Sequence, residues 1–268
     1  MREILISLIK NFFKKLGYSI NKTENLSNYY KDSLAKFIDI YDINLVLDIG
    51  AHHGSFSKKI RTEGYNKEIQ SFEPGVTNFK NLKKNKNDNS WHFYNFGFGS
   101  EDQDVKLLTS ARDGDTNSIS KITKNFLEIC KNAEQIESET VKIYNPYNYF
   151  YNKLDSNRNI LLKIDTEGSD YIVLSNFKDL LNKVSGIYIE CGFNLKMYAD
   201  SKDYLETIDF LKSYHFMPFS LNPHFTNTST GQLMVCDILF YNTKIEPKNL
   251  NKMDKTKKNM YPKIYNFK

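Results

Sequence analysis

The sequence predicts an α/β protein, a doubly wound and mostly parallel sheet whose last strand runs antiparallel. Two observations carry this. Short apolar runs such as Leu45-Val46-Leu47-Asp48-Ile49 and Ile160-Leu161-Leu162-Lys163-Ile164 read as strands covered by helices on both faces. Stretches of helical spacing stand between such runs as far as Tyr241, and that alternation builds a parallel sheet.

With 268 residues, 40% of them hydrophobic, the chain can bury one large core. The expected organisation is a helical extension over 1–40, a main domain over 41–243 carrying an insert at 105–145, and a basic tail over 244–268. The net charge of +5 is concentrated in that tail, where eight lysines face Glu246 and Asp254, a balance of +6 that leaves the rest of the chain at −1. A neutral body offers no nucleic-acid footprint. The tail reads as a solvated extension that could touch an acidic partner. Cys130, Cys191 and Cys236 are too few and too far apart for a disulfide framework or a metal motif, which fits a reducing cytoplasm. No run of eighteen apolar residues predicts a membrane span. Richness in Lys, Asn and Ile points to an AT-rich bacterial genome.

In chain order, Leu5, Leu8, Ile9, Phe12, Phe13 and Leu16 have helical spacing, with Lys10, Lys14 and Lys15 between them. That helix would dock on the main domain or on the partner of a homodimer, or lie weakly on an anionic membrane. A short helix over 30–40 leads into the first strand, 45–49. Gly50 then lets the backbone turn sharply beside a ligand, and Gly54 and Ser55 open a helix over 54–63, whose free N–H groups suit a polar ligand. A second strand, 68–73, ends in Glu73, about 25 residues after Asp48, near the spacing of an acid that grips ribose hydroxyls. Pro74 stops it and a helix over 76–86 follows.

A third strand spans 91–98 and a β-ribbon starts near 105. The polar loop 110–120 contains Arg112 and reads either as a functional lid or as a disordered segment. A helix over 122–134 and a short strand over 141–144 precede Asn145-Pro146-Tyr147, read as a turn. Strand 160–164 ends in Asp165-Thr166-Glu167-Gly168, and strand 186–190 ends in Glu190. A helix over 200–214, a strand over 216–221, a loop holding His224 and a last strand over 235–241 complete the pattern.

Asp48, Glu73, Asp165 and Glu190 thus end four strands at one edge, where an open α/β sheet binds its ligand. So many carboxylates would repel a pyrophosphate and hold a sulfonium cation with its ammonium group and ribose. The nicotinamide pattern G-x-G-x-x-G is absent. A non-catalytic binding module of the same fold remains the other reading.

Val46-Leu47-Asp48-Ile49-Gly50-Ala51-His52-His53-Gly54, Phe72-Glu73-Pro74, Lys163-Ile164-Asp165-Thr166-Glu167-Gly168 and Ile187-Tyr188-Ile189-Glu190 resemble, in order and spacing, the FkbM-type S-adenosylmethionine-dependent methyltransferases. The resemblance spans roughly 45–241. It implies a seven-stranded Rossmann-like sheet of class I methyltransferase type, S-adenosyl-L-methionine as donor, S-adenosyl-L-homocysteine as product, and methylation of a hydroxyl, often on a sugar of a surface polysaccharide or on a natural product. By this match Asp48, Gly50, His52, Gly54, Ser55, Glu73, Pro74 and Asp165 would face the cofactor. Asp165, Glu190 and His224 are the candidate catalytic groups, and Glu167, His53 and Arg112 would meet the acceptor, Arg112 by pairing with the phosphate of a nucleotide-linked sugar. Asp165, Glu190 and His224 could also converge on a divalent metal.

Overall fold

The computed structural model describes residues 26–110, 117–129 and 133–249. The amphipathic segment 1–20, Arg112, Cys130 and the tail from 250 onward lie outside the described residues. Helix α1 (Leu26–Ile40) leads into β1 (Leu45–Ile49), followed by α2 (Ser55–Thr62), β2 (Glu68–Phe72), α3 (Val76–Leu82) and β3 (Trp91–Tyr94). An added unit comes next: β4 (Gly97–Phe98), β5 (Gln103–Ser110), α4 (Lys124–Ile129) and β6 (Gln135–Tyr144). After α5 (Pro146–Phe150) the chain returns with β7 (Ile160–Ile164), α6 (Asp170–Asn176), β8 (Val184–Gly192), α7 (Tyr204–Ser213), β9 (Phe216–Thr226) and β10 (Leu233–Asn242).

Seven strands form the main sheet in the order β3-β2-β1-β7-β8-β10-β9. The first five run parallel, and β10 inserts antiparallel between β8 and β9. The expected fold class is therefore the observed one. Alternation along β1 divides the core: Leu45, Leu47 and Ile49 pack on one face with Leu162, Ile164 and Phe177, while Val46 packs on the other with Phe37, Ile60 and Leu161. Every β1 and β7 residue is buried, as strands covered on both faces must be. Among the described residues no helix is long and apolar enough to cross a membrane.

Three local expectations are corrected. Residues 91–98 are two strands: β3 ends at Tyr94, the Asn95 amide bonds the carbonyls of Glu73 and Pro74 at 2.9 and 3.0 Å, and β4 pairs with β6 in a separate three-stranded sheet. Asn145-Pro146-Tyr147 opens a helix, because the Asn145 side chain caps Asn148 N–H at 3.2 Å and Pro146 occupies the first turn, where no N–H is needed. His224 belongs to a strand: β9 continues past 221 and pairs with β10 as far as Thr226, with register shifts along the way. Pro218 and Pro223 argue against a central strand, but β9 is the sheet edge, where proline is tolerated.

Candidate active site

A cavity of about 830 Å³ lies over the carboxyl ends of β1, β2, β7 and β8, where Ile49, Glu73, Asp165 and Glu190 border it. The added unit forms much of its apolar wall through Leu107, Ile119, Phe126 and Ile143. The volume falls in the range of ligand pockets, and the lining, apolar with a few polar groups, is the usual composition.

Beneath the cavity runs a closed polar network. Asp48 is fully buried; its Oδ2 accepts from the Ser57 hydroxyl at 2.7 Å and the Ser71 hydroxyl at 3.0 Å, and Trp91 Nε1 donates to Ser71 at 2.9 Å. Lys163 stands opposite Asp48 in the β1–β7 register. Its ammonium lies 3.2 Å from Asp48 Oδ1 and 3.5 Å from Asp165 Oδ2, and donates to the Gly50 carbonyl at 2.7 Å. Burial lowers the Lys163 pKa, but the attraction of Asp48 and Asp165 outweighs it and the net shift is upward. The expectation that Asp48 points into the crevice is thereby corrected: it turns inward to the buried ammonium and does not border the cavity. A lysine within the apolar run of β7 was the available signal, since a buried cation requires a partner.

Gly50 brings the end of β1 against the end of β7. Its φ is +72°, and a Cβ there would sit 1.7 Å from the Asp165 carbonyl oxygen, so only glycine fits. Glu73 stands at one side of the cavity, where His52 N–H and Gly75 N–H each donate to its carboxylate at 2.9 Å. Burial raises the Glu73 carboxyl to about 7, against the pull of those two N–H groups and of Lys163. Pro74, Ser55 and His52 border the same region. Asn117, which sequence reasoning passed over, adds an amide whose Oδ1 has no hydrogen-bond partner.

The other side gathers acids. Asp165 has a half-exposed side chain. Glu167 takes φ +53° and accepts from the Tyr198 hydroxyl at 2.6 Å, while Ser118 Oγ bonds its carbonyl. The next residue, Gly168, lies so close to the Tyr198 ring that a Cβ would meet it at 2.3 Å. The turn itself is held by Asp170, which accepts from Thr166 N–H at 2.6 Å and Gly168 N–H at 3.2 Å. That frees Glu167, whose pKa burial raises, with Asp165 and Glu190 adding to the shift. On the same side, His224 Nδ1 lies 3.2 Å from Glu190 Oε2. This hydrogen bond raises the His224 imidazole to about 9, while burial pushes the Glu190 carboxyl up.

The structure thus brings Glu73, Asp165, Glu167, Glu190 and His224 to one cavity. His53 stands behind His52, the two ring centroids 3.4 Å apart, and Gly54 caps α2; neither borders the cavity. Of the residues suggested for a metal, Glu190 and His224 come together, and the third member of their group is Asp237 instead of Asp165.

Residues 48–217 match the family model described as the methyltransferase FkbM domain. No curated protein matches the chain. Similar solved structures include methyltransferase FkbM from Methylobacillus flagellatus KT, 16% identical over 75% of this chain and 44% of that one, with a TM-score of 0.47. This chain therefore spans under half the length of that protein. An rRNA methylase from Streptococcus thermophilus is 9% identical over 83% of this chain and 99% of its own, with a TM-score of 0.45. TrmK of M. capricolum, solved with S-adenosyl-homocysteine, is 10% identical over 85% of this chain and 73% of its own, with a TM-score of 0.43.

Proposed function

The chain belongs to the FkbM methyltransferase family, and from that premise we propose that it moves the methyl group of S-adenosyl-L-methionine to a hydroxyl oxygen of a small polar acceptor. A sugar of a bacterial surface polysaccharide, free or nucleotide-linked, is the acceptor class the sequence resemblance suggests, with the cytoplasm as the place of reaction. The main domain over 41–243 would carry the chemistry and the insert at 105–145 would help choose the acceptor.

One observation carries the reading: a single cavity of about 830 Å³ has the carboxylate of Glu73 at one side and Asp165, Glu190 and His224 at another. The residues fit the donor. Glu73 is pre-oriented by two backbone N–H groups to accept from ribose hydroxyls, and the uncommitted Oδ1 of Asn117 can accept from an amino group. The acids suit a ligand with sulfonium and ammonium charges. When bound, the donor supplies an electrophilic methyl carbon, and the bond from carbon to sulfur breaks with its electron pair going to sulfur.

The chain's part is alignment and proton removal. Asp165, ion-paired with Lys163 at the end of β7, takes the acceptor's proton in this reading as the acceptor oxygen bonds to the methyl carbon, help of about 10²–10⁴-fold. Glu190 and His224 orient the acceptor from the same side of the cavity. Alignment of oxygen, carbon and sulfur supplies up to ~7–11 kcal/mol more. The test has two parts: calorimetry of S-adenosyl-L-homocysteine with the full chain, and mass spectrometry of candidate sugars for the gain of one CH₂. Binding that survives Glu73→Ala unchanged would overturn the placement of the donor.

A further inference from the structure

We propose that Glu190, His224 and Asp237 bind one divalent metal ion at the edge of the cavity that Glu190 and His224 border. They stand on three adjacent strands, β8, β9 and β10, and one ligand atom from each lies within 4.8 Å of the other two. Atoms that share an ion at about 2.0–2.6 Å are separated by at most ~5 Å, so the three can close on one centre with small side-chain movements.

Two features of the sheet favour a cation here. Glu190 and Asp237 are direct partners in the antiparallel register of β8 and β10. Like charges opposite each other on neighbouring strands repel, and a cation between them reverses the sign. Asp237 is also held from behind: Tyr188 Oη and Asn222 Nδ2 donate to its Oδ2 at 2.9 and 3.3 Å. Neither bond uses Oδ1, so the carboxylate is oriented with one oxygen left for a ligand, as outer hydrogen bonds orient metal-binding carboxylates.

A separate observation points to a polar ligand in the same cavity. Ser169 is 2% exposed, borders the cavity that Glu190 and His224 border, and its Oγ has no hydrogen-bond partner. Its hydroxyl does not cap α6, because Asp170 holds that turn. A buried hydroxyl left unpaired is costly, and a polar ligand in the cavity would satisfy it after a small side-chain rotation.

Two carboxylate oxygens and one imidazole nitrogen, with no thiolate, suit Mn²⁺, with Mg²⁺ and Zn²⁺ as competitors. Three protein ligands leave positions open for the acceptor hydroxyl, which a bound cation acidifies. The proton passes to Asp165, the oxygen bonds to the methyl carbon, and sulfur keeps the electron pair. This chemical role rests on the methyl-transfer reading; the ion site itself does not.

The experiment titrates Mn²⁺ into the chelator-stripped full chain, followed by electron paramagnetic resonance, with S-adenosyl-L-homocysteine calorimetry on the same samples. One equivalent should bind, and Asp237→Asn should weaken it by about 10–100-fold. His224→Ala, at an exposed side chain whose loss spares the fold, should do the same. Absence of saturable uptake of Mn²⁺, Mg²⁺ and Zn²⁺, or uptake that both variants leave unchanged, overturns the site. If S-adenosyl-L-homocysteine binds while no ion does, only the ion is lost. Ion uptake without that ligand keeps the ion and removes the donor reading.

Discussion

The network under the cavity and the cluster along its rim are built from the same residue types and behave in opposite ways. Under the floor, one carboxylate, Asp48, has two hydroxyls and an ammonium for partners and is sealed from solvent. At the rim, Asp165, Glu167 and Glu190, with Asp237 opposite Glu190 in the β8–β10 ladder, share fewer partners, so that burial and mutual repulsion raise Glu167, Glu190 and Asp237 together. A strand-end acid is therefore structural or functional according to what faces it. Its place in the strand does not decide.

The largest effect should come from removing the buried cation. Lys163→Met leaves Asp48 charged and unpaired and should cost about 3–5 kcal/mol in urea unfolding. Adding Asp48→Asn should recover part of it. A single variant as stable as the parent would erase the distinction between the two regions.

Next in size, Asp165→Asn at the half-exposed rim should lower kcat by about 10²–10⁴-fold while the melting curve moves little. The contrast with Lys163 is the point, because one change is read in stability and the other in turnover. Glu73→Gln should weaken S-adenosyl-L-homocysteine binding by about 1.5–3 kcal/mol in calorimetry, the usual worth of hydrogen bonds to a charged group.

Glu73 also sets a pH dependence. Its carboxyl titrates near 7 in the folded chain, above the 4.5 of the unfolded one. The folded state thus holds a proton that the unfolded state releases, and this contribution to stability, complete below 4.5, fades as pH rises through 7. Thermal melts of the free protein between pH 5 and 8 should slope downward, and Glu73→Gln should flatten part of the slope. Smallest of all, Tyr198→Phe removes one donor from the half-buried Glu167 and should cost about 1–3 kcal/mol.

The sequence made the central strands legible because β1 and β7 are apolar throughout and end in glycine turns. It also located the cavity edge, since Glu73 and Asp165 directly follow the ends of β2 and β7 there, although β8 runs two residues past Glu190, to Gly192. It could not reveal which way Asp48 points, because that depends on the β1–β7 register that sets it against Lys163. Asp237 escaped notice for a similar reason: an acid in mid-strand reads as surface until its neighbour across the ladder is known to be Glu190. The separate small sheet was hidden because Gly97-Phe98 continues the apolar run of β3, and only the bend at Asn95 divides them.

The contact between Gly50 and the Asp165 carbonyl has a practical bearing on enzyme redesign. With no clearance between those two chain crossings, the room for a bulkier sulfonium analogue must be carved elsewhere, and Leu107 and Ile143 of the added unit are the side chains to trim. Widening from the β1 turn would displace Asp165, the proposed proton acceptor, so a gain in substrate range there would be offset by a loss in rate.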